Sequence, residues 1–130
     1  VNTNDLASAI PLAATLGIDV SEVTSQRVTA TMNWAEQLCT SGGILHGGAL
    51  MAFADTIGAL CAVANLPPGA GTATIESKTN FFRAVRSGVV TAVSEPLHVG
   101  RSTIVAQTNL TDDRDKLVAQ VTQTQAVLTE

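Results

Sequence analysis

The sequence has 130 residues, enough for a single domain spanning 1–130 and little more. Apolar residues make up 45% and charged residues 14%, which excludes a disordered chain. The formal net charge of −4 at pH 7 argues against a general nucleic-acid or anionic-membrane surface, so neither nucleic acid nor membrane is expected as a partner.

In chain order, Asp5 to Leu16 reads as a short helix, capped by Asn4 or Asp5 and stopped by Gly17. The opening V-N-T-N-D-L-A-S-A-I shows no basic region ahead of an apolar core, so no secretory leader is expected and the cytoplasm is the default location. Ile18 to Asn33 is strand-like, with Val23, Arg27 and Thr29 marking a partly exposed first strand and Val28, Ala30 and Met32 on its other face. Glu36 to Leu45 is a loop carrying Gly42 and Gly43. It leads into His46-Gly47-Gly48 and the apolar run A-L-M-A-F-A-D-T-I-G-A-L-C-A-V-A-N-L, which Pro67, Pro68, Gly69 and Gly71 end.

That run is long enough for about five helical turns. A helix apolar all round is either buried or membrane-spanning. Asp55 inside the run, the lack of a basic flank and the strand-like remainder argue against a span. Thr72 to Phe82, Gly88 to His98, Ser102 to Leu110 and Leu117 to Leu128 are then rich in Val, Thr and Ile, as strands are. The connections Arg86-Ser87-Gly88, Val99-Gly100-Arg101 and Asp112 to Asp115 are short, as between antiparallel neighbours. The expected fold is α+β, an antiparallel sheet wrapped around one long central helix.

Asp55 stands out, because a carboxylate in a buried helix is costly unless it is partnered or lines a polar cavity. A neighbouring hydroxyl such as Thr56 is one possible partner; a reactive role is the other reading. Cys39 and Cys61 form neither a disulfide framework nor a zinc spacing and read as reduced thiols, and no cluster of metal ligands is visible. Between Ser77 and Thr111 the chain carries Lys78, Arg83, Arg86 and Arg101 against Glu95 alone, a locally basic stretch in an acidic protein.

The segments G-G-I-L-H-G-G-A-L-M-A-F-A-D, T-N-F-F-R-A-V and H-V-G-R-S resemble the hotdog-fold thioesterases, of the phenylacetate-pathway and 4-hydroxybenzoyl-CoA types. The likeness runs from about Gly43 to the C-terminus. It implies hydrolysis of an acyl-CoA thioester to a carboxylate and free CoA, with coenzyme A entering as part of the substrate and no further cofactor. Asp55 falls where the family has its catalytic acid, as general base or nucleophile. Gly47 and Gly48 open the helix, where unpaired N–H groups and the helix dipole favour negative charge, and the resemblance gives the Gly47 N–H the thioester carbonyl. His46 either serves the site or is a packed structural residue, and His98 reads as structural.

Thr74 is similar to the strand Ser or Thr that positions water in relatives. Thr40 stands where many relatives have Asn or Gln, and Ala59 where the hydroxybenzoyl type has Thr. Arg83, Arg101 and Ser102 match positions near which relatives hold pantetheine and nucleotide phosphates. Met51, Ala52, Gly58 and Ala59, within a turn of Asp55, are expected to line the acyl slot.

Gly47 and Asp55 lie eight residues apart, ~12 Å along a helix axis. One carbonyl cannot easily meet both from a single straight helix. A homodimer with antiparallel central helices and shared active sites resolves this, and a tetramer built as a dimer of dimers is expected. Two rival readings keep the scaffold: a hotdog hydratase or dehydratase, whose H-F-P or D-x-x-x-x-H signatures are missing, and a non-catalytic acyl-CoA-binding protein.

Overall fold

The computed structural model describes residues 9–129. Among the described residues the first helix, α1 (Pro11–Leu16), opens on a proline and buries Ala13 and Leu16. Gly17 ends it with φ at 73°, and its N–H turns back to the carbonyls of Ala13 and Ala14. The cap expected at Asn4 or Asp5 lies outside the described residues.

The stretch expected as one strand-like unit from Ile18 to Asn33 is a hairpin of β1 (Asp19–Val23) and β2 (Val28–Asn33). Thr24 makes the turn: its Oγ1 accepts from the N–H groups of Gln26 and Arg27 at 3.2 and 2.9 Å. Arg27 therefore sits in the turn, paired with Glu22 at 2.9 Å. Val28, Ala30 and Met32 are buried, on the face the alternation indicated.

Two short 3-10 turns, Glu36–Leu38 and Ser41–Gly43, make up the following loop. Gly42 and Gly43 have φ of 83° and 74°, which β-branched or bulky residues seldom adopt. The Trp34 indole donates to the Gly43 carbonyl at 3.0 Å and pins the loop beside the helix it precedes.

That helix, α2 (Gly47–Val63), buries Leu50, Phe53, Ala54, Ile57, Leu60 and Cys61 against the sheet. Full burial of side chains such as Phe53 and Ile57 contributes about 2–3 kcal/mol each. Among the described residues no helix is long and apolar enough to cross a membrane.

Strands β3 (Gly71–Phe81), β4 (Val89–Val99), β5 (Thr103–Thr111) and β6 (Leu117–Leu128) complete one antiparallel sheet in the order β1-β2-β4-β5-β6-β3. One connection differs from expectation. The short segment around Arg86-Ser87-Gly88 does not join neighbours, because β3 pairs with β6 at the far edge while β4 lies between β2 and β5. A short link suffices because the sheet curls around α2 and brings β3 and the start of β4 across the helix. No residue of β3 is buried, and Ile75 is 63% exposed.

Candidate active site

The start of α2 is built by its own residues. His46 is the N-cap, and its Nδ1 accepts the Gly48 N–H at 2.7 Å, which places the imidazole proton on Nε2. The Ala49 and Leu50 N–H groups go to the His46 carbonyl. The Gly48 amide is thus consumed by the cap, whereas the Gly47 N–H has no acceptor among the described residues. His46 thus shapes the helix start through Nδ1, and its ring is exposed, not packed.

Beside Gly47 runs an open groove of about 430 Å³, lined by Thr40, Leu50, Phe81, Phe82 and Arg83. A side chain at residue 47 would press on the Phe81 ring, with a Cβ 3.2 Å from Cζ. Glycine here leaves the N–H open to the groove.

Asp55 sits two turns further along α2, partly buried. Its Oδ1 accepts from the Thr74 hydroxyl on β3 at 3.0 Å and from Gln123 Nε2 on β6 at 3.2 Å. Oδ2 has no partner among the described residues. Thr56 is not the partner, since its hydroxyl donates to its own helix at the Ala52 carbonyl, 2.8 Å away. Met51 lies one turn before Asp55 on the same stripe of the helix and is 40% exposed. Gly58 departs from expectation: it is buried against the Gln123 side chain, so it faces the sheet and not an acyl slot.

Sequence reasoning passed over three residues of this constellation. Gln123 and Gln125 are each 1% exposed, and Gln125 Nε2 donates to Thr72 Oγ1 at 3.1 Å. The signal was present in β6, where alternation puts both glutamines on the inward side with Ala119 and Val121.

The structure joins Asp55 with Thr74, and Gly47 with Thr40 and Arg83. Within one chain it does not join these two groups. Phe81 pairs with Ala119 and Thr74 with Gln125, six residues further along β6, a separation of roughly 20 Å. Arg101 and Ser102, in the exposed turn between β4 and β5, lie at the Thr74 end of the sheet, away from Arg83.

An antiparallel sheet curled about one long central helix defines the hotdog fold. Residues 42–119 match the model of the thioesterase superfamily, and the chain belongs to that family. The thioesterase HI1161 of Haemophilus influenzae superposes with a TM-score of 0.93 at 30% identity, covering 99% of this chain and 92% of that one. ComA2 of Bacillus subtilis, named for an inferred esterase activity, is 34% identical over 90% of this chain and 94% of its own length. The 1,4-dihydroxy-2-naphthoyl-CoA hydrolase of Listeria monocytogenes is 28% identical over 82% of this chain and 87% of its own. Thioester hydrolysis is the reaction class these relationships support.

Proposed function

We propose that this protein hydrolyses an acyl-CoA thioester to a carboxylate and free CoA, at sites shared between two copies of the chain. The observation that carries the reading is Asp55, the one charged residue of α2, with Oδ2 left without a partner among the described residues. The Gly47 N–H, at the positive end of the helix dipole, polarises the thioester carbonyl and stabilises the oxyanion. Asp55 supplies the electron pair, either by taking a proton from the attacking water or by attacking the carbonyl carbon itself. Thr74 orients that water, a role its hydrogen bond to Asp55 supports. The name of the Listeria relative, a CoA-ester hydrolase, favours a CoA ester as substrate.

The edge strand supports the shared site. β3 is an exposed edge strand, paired with β6 on one side and with no neighbour on the other among the described residues, and so a template for another strand. Phe81, near one end of β3, abuts Gly47, and Thr74, near the other, holds Asp55. Antiparallel pairing of β3 with its symmetry mate opposes those ends, so Gly47 meets Asp55 of the partner subunit. The same operation brings Arg83 towards Arg101 of the partner subunit, giving the CoA phosphates two guanidinium groups.

The test is thiol release from a panel of acyl-CoAs by the wild type and by Asp55→Asn. Asp55→Asn is expected to lower turnover by about a hundredfold or more with substrate binding retained. A folded Asp55→Asn variant with near-normal turnover refutes the mechanism, and a wild type that releases no thiol from any acyl-CoA refutes the substrate class.

A further inference from the structure

The amides of Gln123 and Gln125 lie behind Asp55, inside the sheet. Gln123 Nε2 reaches Asp55 Oδ1 at 3.2 Å and Gln125 Oε1 at 2.9 Å. Gln125 Oε1 also faces the Thr74 hydroxyl at 2.6 Å, and Gln125 Nε2 donates to Thr72, whose own hydroxyl donates to the Ala126 carbonyl at 2.8 Å. The single Thr74 hydrogen has two acceptors, Asp55 Oδ1 and Gln125 Oε1, but the Gln123 amide has one consistent orientation. Reversing the Gln123 amide would set its oxygen against Asp55 Oδ1 and Gln125 Oε1, both acceptors.

The arrangement has a cost. Gln123 Oε1 is buried without a partner among the described residues, an uncommon state for a core amide. It is accommodated only because residue 58 is glycine, since a Cβ there would overlap the Gln123 amide. A methionine of similar length would fill the same space without an orphaned oxygen. What the amide supplies and methionine cannot is the N–H pair that joins Asp55 to Gln125.

We infer that Gln123, backed by Gln125, is a positioning residue for Asp55: with Thr74 it saturates Oδ1, fixes the carboxylate rotamer and leaves Oδ2 as the working oxygen. Gln125 also gives the single Thr74 hydrogen a second acceptor, so the hydroxyl can turn from Asp55 to Gln125 when the carboxylate takes up a proton. The inference rests on the reading of Asp55 given above.

The test is a double-mutant cycle of Gln123→Met and Asp55→Asn, with kcat, KM and thermal midpoint measured on a hydrolysed acyl-CoA. Gln123→Met is expected to lower kcat about tenfold or more, as small misplacements of reacting groups do. KM should stay within about twofold, and the midpoint should stay level or rise, because the orphaned oxygen is gone. In the Asp55→Asn background Gln123→Met should cost nothing further. A purely structural glutamine gives the opposite pattern, a lowered midpoint with kcat kept. Wild-type kcat in folded Gln123→Met, or an equal fractional loss in both backgrounds, overturns the inference while leaving Asp55 in place. If Asp55→Asn itself keeps its turnover, the reading of Asp55 falls and the inference with it. If Gln123→Met does not fold, Gln125→Met takes its place in the cycle, with a loss of kcat expected only when Asp55 is present, and the same loss without Asp55 overturning it.

Discussion

A shared active site makes a quantitative prediction about mixed dimers. Asp55→Ala removes the carboxylate, and Gly47→Pro removes the N–H proposed to hold the oxyanion. The structure admits proline at 47, the first residue of α2. The preceding His46, at φ −62° and ψ 134°, already has the extended conformation that a residue before proline requires. The added ring presses on Phe81, but that side chain is 48% exposed and has room to swing. Loss of one oxyanion donor costs about a hundredfold to a thousandfold in kcat, so each variant alone should be nearly inactive. Gly47→Ala, which adds the Cβ and keeps the N–H, should retain most activity and separates crowding from donor loss. On co-expression about half of randomly formed dimers are mixed, and each regains one intact site of two, so activity should return to about a quarter of wild type. Differently tagged chains allow the mixed dimer to be isolated and assayed for thiol release. Mixed dimers that are folded and as inactive as either parent refute the shared site.

Two further outcomes are expected. Arg101→Ala should raise KM for CoA esters more than it lowers kcat, with little effect on an acyl-pantetheine lacking the nucleotide, because a remote phosphate contact contributes uniform binding; an equal loss on both substrates assigns Arg101 to structure. Cys61 is fully buried, and burial pushes its thiol above the ordinary range, with a hydrogen bond from Ser94 pulling back less. The folded state therefore holds this proton to higher pH than the unfolded chain does. Its contribution to stability is complete below about pH 8.5, the ordinary thiol value, and is lost as the pH rises through the folded value. Native protein titrated with a thiol reagent at pH 8 should show Cys39 reacting first and Cys61 only on unfolding; two equally fast thiols contradict this.

The elements of the fold were largely readable because each has a local cause. Pro67 and Pro68 follow the end of α2, Gly17 ends α1, and alternation sets the inward faces of β2 and β6. Less readable was anything decided by pairing partners. The hairpin at Thr24 to Arg27 depends on a threonine side chain standing in for a glycine turn signal. The placement of β3 beside β6 depends on the sheet curling around α2, and a short link through Gly88 looks the same whether or not its strands pair.

The candidate site divides along the same line. Asp55 was conspicuous because its helix is apolar, and Thr74 and the Gly47 amide were found through family likeness. Gln123 lies 68 residues from Asp55 in the chain, and only the register of β6 brings it under the helix. Its inward parity alone was a sufficient warning, since two glutamines among Ala119 and Val121 must be satisfied or costly. Gly58 shows the same dependence from the other side. Along the helix it looked like room for an acyl group next to Asp55, but the buried amide of Gln123 fills that room. Space for the substrate is therefore sought on the open stripe of α2, at Met51, Asp55 and Ala59. There the side chains are only partly covered by their own chain, and the proposed dimer would place a second copy opposite them.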